Sequence, residues 1–208
     1  MTGLRAPLAH ELRAAAFALE RVRAGQSLPP ALAEAAGRWR LEGASRAAMR
    51  DIAYTAVRNL GRSLALAARL NARAPSAPVA ALQAVALSEL SNPGRRHEAV
   101  VVDQAVAAAH GDVATRAAAS FLNATLRRFL RERAELLEAV LRDPEARWNH
   151  PRWWIDRLRS DHPGHWQAIL SAGNRPPPMT LRVNRRRTDP QTYLARLNEA
   201  GIEARRIG

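Results

Sequence analysis

No cysteine and no lysine occur among the 208 residues, aromatic side chains make up only 5%, and no run of ~20 uncharged apolar residues is present. Without cysteine there is no disulfide, no zinc-thiolate site and no thiol nucleophile in this chain. Without a long apolar run there is no membrane-spanning segment. The N-terminus also lacks the charged-then-apolar order of an export signal, so the cytoplasm is the expected compartment. Few aromatics in a chain that is 47% hydrophobic leave Ala, Leu and Val to build the core, which suits closely packed helices. The glycines form no phosphate-binding loop and no nucleophile sits beside a base, so no catalytic residue and no cofactor-binding residue is expected here. Asp161, His162 and His165 hint at a metal. A turn built on Pro163-Gly164 does not fix ligand geometry, however, and no fourth ligand is evident, so no metal site is expected.

What the chain has instead is arginine. All 32 basic residues are Arg, against 19 acidic ones, for a formal charge of +13. Residues 1–80 carry 12 Arg and 5 acids, residues 81–145 carry 8 and 9, and residues 146–208 carry 12 and 5. Two basic ends flanking a neutral middle are a footprint for a polyanion. A GC-rich genome accounts for Arg in place of Lys, but not for the excess of positive charge. Arg adds a planar fork that binds phosphate bidentately and stacks on bases.

Apolar spacing predicts helices over 8–24, 31–36, 45–60, 63–72, 79–90 and 98–109, then a long helix over 115–141 that bends near its middle and stops at Pro144. Ser27 and Ser45 read as N-caps, Gly61 as a break or bend, and Asn92-Pro93-Gly94 as a turn. Val79 to Leu90 is apolar nearly all round and is expected to be the most buried helix. Residues 146–178 hold four of the five tryptophans and end in the stiff run Pro176-Pro177-Pro178. Short helices are expected at 153–159 and 165–172, with His150-Pro151 and Trp153-Trp154 seating this linker against the bundle. Beyond it, 180–184 and 202–207 read as strands around a helix over 190–200 opened by Thr188-Asp189. The expected organisation is an all-helical domain over 1–145, a Trp-rich linker over 146–178, and the beginning of a small α/β subdomain over 179–208.

Three groups of arginines are candidates for RNA contact. Arg46, Arg50, Tyr54, Arg58 and Arg62 fall four apart, a slowly spiralling stripe on one helix side with an aromatic in its middle. Such a stripe can follow a phosphate backbone while Tyr54 stacks on a base. A solvated face with intrahelical ion pairs gives the same pattern, but Asp51 is the only acid near it. Arg127, Arg128, Arg131 and Arg133 lie beside Asn123, with Glu132 and Glu135 able to neutralise part of the group. Asn123 itself is placed to cap or bridge a neighbouring helix. Arg182 lies in the first expected strand, on the face opposite Leu181 and Val183, and Arg185, Arg186 and Arg187 follow it.

Several stretches carry a resemblance. They are Arg13 with the helix ending in Val22, Gly25-Gln26-Ser27-Leu28, Tyr54 with Val57-Arg58, and Val101 to Val106. Phe121-Leu122-Asn123-Ala124-Thr125-Leu126-Arg127-Arg128-Phe129, His150-Pro151-Arg152-Trp153 and the run Asn174 to Asn184 complete the set. In this order they resemble the N-terminal part of the bacterial small-subunit ribosomal RNA cytosine methyltransferases of the Sun, Fmu or RsmB family. The helical motifs are shared with the antitermination factor NusB; the His-Pro-x-Trp element and the Pro-Pro-Met-x-Leu-Arg-Val-Asn run belong to the methyltransferases. Asp103-Gln104 departs from the usual acidic pair, and only Arg5 and Arg13 stand where NusB carries a richer arginine cluster, so that Arg13 joins the candidates for RNA contact.

The resemblance implies a mainly α fold: a NusB-like bundle followed by a partial α/β, RRM-like subdomain. It also implies an S-adenosylmethionine-dependent catalytic domain outside this chain, methylating the 5-position of a cytosine, with small-subunit rRNA as partner. Contact with a ribosomal protein or transcription factor is a further expectation. The alternative is a non-enzymatic NusB-like RNA and protein adaptor in transcription antitermination, for which residues 146–208 would be superfluous.

Overall fold

The computed structural model describes residues 8–92 and 94–207. Arg5, the Pro93 of the expected turn and Gly208 lie outside them. Two compact units are formed, Met1–Asn174 and Arg175–Gly208. The first contains α1 (Leu8–Arg23), α2 (Leu28–Arg38), α3 (Gly43–Arg58), α4 (Leu60–Leu70), α5 (Ala77–Leu90) and α6 (Glu98–His110). A 3-10 turn (Arg116–Ala118) leads to α7 (Ala119–Arg131), α8 (Arg133–Val140), α9 (Pro144–Trp148), α10 (Arg152–Asp161) and α11 (Trp166–Gly173). The second unit contains α12 (Pro190–Glu199).

The core follows from the composition. α1 packs on α2, α3, α5 and α6, and α5 also meets α4 and α7. Both helices present alanines, whose small side chains let helix axes approach closely. Eleven of the fourteen residues of α5 are buried, so the helix runs through the interior with no solvent stripe. Leu12, Leu19, Met49, Ile52, Leu66, Leu82, Leu87, Leu122, Leu126 and Phe129 fill the space between backbones. A smaller cluster of Ile155, Leu158 and Leu170 holds α10 to α11, with Trp148 and Trp166 packed against it.

Burying α5 on all sides buries polar groups too. Gln83 exchanges two hydrogen bonds with Asn71, at 2.8 and 2.9 Å, and donates a further one to Thr125 Oγ1 at 3.1 Å. Thr125 donates in turn to the Phe121 carbonyl at 3.0 Å. Each member finds a partner, which offsets the cost of removing amides from water.

Helix boundaries differ from the periodicity at several points. Glu42, not Ser45, stands at the N-cap position of α3, and Ser45 is buried inside the helix. Ser27 holds the N-cap position of α2 but makes no side-chain cap hydrogen bond. The long helix is interrupted at Glu132, which separates α7 from α8. Pro144 stops one helix and opens another, α9, with Asp143 accepting from the Glu145 amide at 3.0 Å. Trp153 is 68% exposed and Trp154 also faces solvent, so they do not seat the linker. His150 Nδ1, 2.6 Å from the Trp148 carbonyl, and Asn174, which donates to the same carbonyl at 2.6 Å, join the linker to itself, while Asn149 Oδ1, accepting the Arg62 amide at 2.8 Å, joins it to the bundle.

The break between α3 and α4 falls at Asn59, and Gly61 serves another purpose. A Cβ on Gly61 would lie 2.5 Å from the Glu145 carbonyl oxygen, while Asn149 Oδ1 accepts the Arg62 amide at 2.8 Å. Asn149, in the left-handed region at φ 53°, therefore caps α4 from across the α4–α9 contact. Gly37, also helical, has open space where a Cβ would stand, with nothing within 4 Å. Opposite signs are expected for one substitution. Gly37→Ala should stabilise by up to about 1 kcal/mol through helix propensity. Gly61→Ala should cost about 1–2 kcal/mol net, because a backbone carbonyl cannot move aside cheaply. Urea midpoints of both variants check the pair, and a stabilised Gly61→Ala would show the α4–α9 contact to be loose.

The second unit corrects the expected fold class. Among the described residues there is no strand, so the α/β subdomain is not formed and all the regular secondary structure is helical. Residues 180–184 and 202–207 have no assigned secondary structure, and no backbone ladder joins them. A chain segment becomes a strand only by pairing, and alternation of apolar residues supplies the tendency without the partner. Met179, Leu181, Ile202 and Ile207 accordingly remain exposed, around an open groove of about 1230 Å³.

Helix α12 forms as expected because its ends are chemically specified. Asp189 accepts from the Gln191 and Thr192 amides at 2.9 and 3.0 Å, and Gly201 at φ 71° reverses the chain after the helix. The Thr192 hydroxyl bond, then the amides, hold the Asp189 carboxyl below its usual range. A depressed carboxylate contributes its stability above the unfolded pKa and loses it as pH falls through the folded value. Acid titration followed at the Gln191 and Thr192 amide resonances should show α12 fraying below the ordinary Asp value of 3.8. Fraying that begins above that value would contradict the cap.

Candidate nucleic-acid interface

The arginine stripe is real over α3 and ends with it. Arg46 and Arg50 are exposed, and among the described residues neither has an acidic partner. Asp51, the one nearby acid, is taken by Arg95 from the turn after α5. Arg58 is half-buried with its guanidinium carbon 5.6 Å from the Tyr54 ring centroid, so one face of that ring is occupied by a cation. Arg62 belongs to α4, past the break at Asn59. Burial lowers its pKa, and its Nε has no hydrogen-bond partner among the described residues. The helix period would continue the stripe through Arg62; the break at Asn59 places it on a different helix.

Arg127, Arg128 and Arg131 project from α7. Arg127 Nε donates to Asn123 Oδ1 at 2.9 Å, so Asn123 serves its own helix rather than a neighbour. Arg128 pairs with Glu132 at 2.9 Å, and Arg133 pairs with Glu98 at 2.6 Å while lying over Phe129. Arg131 is exposed without an acidic partner among the described residues. Two of the four guanidinium groups are thus neutralised, one of them by an i,i+4 pair.

In the second unit Arg182 is exposed on an extended segment. Arg185, Arg186 and Arg187 occupy the following turn, where Asn184 Oδ1 accepts the Arg186 amide at 3.0 Å and the Asn184 carbonyl accepts the Arg187 amide at 2.9 Å. Three consecutive exposed guanidinium groups on a side-chain-closed turn form a local concentration of positive charge. Arg13 has a different setting. Its guanidinium donates to the Gly111 carbonyl at 2.6 Å and lies 5.4 Å from the Trp39 ring.

Two further sets of arginines meet aromatics. Phe17 and Trp39 pack edge to face at 5.4 Å, and Arg38 lies within 5.0 Å of both rings while Arg21 covers Phe17 and pairs with Glu34. The spacing of four between Phe17 and Arg21 was a usable sequence signal; the meeting with Trp39 was not. Arg147 and Arg159 similarly lie over Trp148 and Trp166. Asp161 is occupied by Arg157 at 2.6 Å, and no group of three or more potential metal ligands exists among the described residues. No helix among them is long and apolar enough to cross a membrane.

Known proteins share this sequence in part. Residues 150–208 match the family model described as the Methyltr_RsmF/B-like, ferredoxin-like domain. Ribosomal RNA small subunit methyltransferase B of Pseudomonas putida is 52% identical over 87 residues, 42% of this chain and 20% of that protein. The protein of the same name in Escherichia coli O157:H7 is 44% identical over 82 residues, 39% of this chain and 19% of that one. A probable ribosomal RNA small subunit methyltransferase B of Coxiella burnetii is 40% identical over 88 residues, again 42% and 20%. The similarity supports a relationship to the RsmB family. The matched stretch spans about one fifth of each relative's length. The family model is ferredoxin-like by description, whereas the matched residues here form helices and unpaired extended segments.

Proposed function

We propose that this chain is the RNA-recognition N-terminal region of an S-adenosylmethionine-dependent methyltransferase that modifies the 5-position of a cytosine in small-subunit rRNA. The observation that carries the reading is the match of residues 150–208 to the methyltransferase-linked domain, joined to relatives named for that activity. The surface chemistry agrees with it. Arg46, Arg50, Arg131, Arg182 and Arg185 to Arg187 stand exposed, and an exposed guanidinium binds phosphate without sequence preference. In this reading the chain docks and orients RNA, and the methyl donor and reacting thiolate belong to a further catalytic region. Cytoplasmic localisation and a role in rRNA processing follow from that substrate.

The test is made on the endogenous protein that carries these peptides. Its intact mass is expected well above 22.8 kDa, with cysteine-bearing peptides after Gly208. It is also expected to transfer labelled methyl from S-adenosylmethionine to cytosine in small-subunit rRNA. A mass near 22.8 kDa without methyl transfer would overturn the reading and leave the RNA and protein adaptor in its place.

A further inference from the structure

A cleft of about 480 Å³ opens within the first unit where α8, α9, α10 and α11 meet. Its volume lies within the ~300–1,000 Å³ range of small-ligand clefts. Trp148 and Trp166, both half-buried, stand in its wall edge to face, with ring centroids 5.3 Å apart. Arg147 lies 5.4 Å from the Trp148 ring and Arg159 4.9 Å from the Trp166 ring. Both arginines are exposed, and among the described residues neither has a carboxylate partner. Arg142, the third arginine of the lining, pairs with Glu138 at 3.1 Å.

We propose that this cleft binds one unpaired nucleotide of the RNA, its base against the Arg147–Trp148 and Arg159–Trp166 stacks and its phosphate on the guanidinium forks. The inference rests on the RNA-binding reading above and adds where a base is held. The lining chemistry selects this class of ligand. Two unneutralised guanidinium groups call for an anion, and two indoles call for a flat, polarisable partner. A free phosphate would use only the first, an apolar ligand only the second. A guanidinium already lying over an indole presents its other face for a base, so the stack extends without rebuilding the wall. Bases buried in duplex RNA cannot enter such a cleft, whereas single-stranded loops and ends can.

The experiment uses the full chain and two oligoribonucleotides of equal length and charge, one single-stranded with all bases and one abasic. Wild type is expected to bind the base-bearing strand roughly tenfold more tightly, the usual scale for one stacked base. Arg147→Ala with Arg159→Ala should remove that preference, with circular dichroism unchanged because both side chains are at the surface. Arg159→Lys keeps the charge and loses the planar fork. It should retain affinity for the abasic strand and lose most of the preference. A preference that survives the double substitution overturns the proposal, as does a wild type that binds both strands equally. In the second case RNA binding itself still stands; a wild type that binds neither strand removes both readings.

Discussion

Replacing Arg96 by Ala is expected to destabilise the fold by about 3 kcal/mol near neutral pH, the low end of the cost of stranding one member of a buried ion pair. Glu89 lies in the last turn of α5 with its side chain fully buried, and Arg96 closes onto Glu89 Oε2 with Arg95 Nε at 3.7 Å. Among the described residues Glu89 Oε1 has no hydrogen-bond partner, so the charge rests on Arg96, with Arg95 as the weaker partner. A carboxylate at a helix C-terminus also meets the negative end of the helix dipole, which the two arginines offset. Burial raises the Glu89 pKa, and Arg96 followed by Arg95 pulls it back. For an acid whose folded pKa is raised, stability is greatest below the unfolded pKa and falls as pH rises through the folded one. Removing Arg96 raises that pKa further. The deficit should therefore shrink as the pH is lowered toward the ordinary Glu value of 4.5. Urea unfolding of wild type and variant at pH 4.5 and 7.5 reads the effect. Glu89→Gln in the same background should recover much of the loss. An equal deficit at both pH values would show that the carboxylate stays charged without its partner.

Removing Arg46, Arg50 and Arg58 together is expected to weaken RNA binding roughly a hundredfold at low salt and to flatten its salt dependence. Each single-strand phosphate contact contributes about 0.7 to the slope of log K against log salt, so three lost contacts should lower it by about 2. Arg46 and Arg50 are exposed and, among the described residues, unpaired by acids, which leaves their charge available. Arg58 also stacks on Tyr54, so its loss uncovers a ring face. Arg62→Ala is expected to change the slope less, since burial draws that guanidinium in from the surface. Filter binding across a salt series distinguishes the cases. An unchanged slope in the triple variant would remove the α3 stripe from the interface.

The interruption of the long helix and the fate of the arginine stripe share one cause. Periodicity places side chains on a face of an ideal helix, and it carries no information about where a helix axis turns. Asn59 and Glu132 are ordinary residues in sequence, yet each separates two helices that pack against different sets of neighbours. Gly61 was legible as a breaker but not as a close-approach residue, because the Glu145 carbonyl that demands it lies 84 positions away in the chain. The expected strands failed for a related reason: apolar alternation at 180–184 states a preference, and pairing is a property of two segments.

Part of the local chemistry was legible, though not the caps read at Ser27 and Ser45. Asp189 ahead of Pro190, the all-round apolar run of α5, the alanine-rich close packing and the absence of thiol chemistry all depend on residues and their near neighbours. So does the concentration of arginine at the two ends of the chain. Tertiary structure alone decided which arginines remain available. Arg13 is spent on Gly111 and Trp39 and Arg96 on Glu89, while Arg147 and Arg159 converge on indoles without an acid to neutralise them. A charge is fixed by the residue that bears it, but its availability is fixed by what folding places within a few ångströms of it.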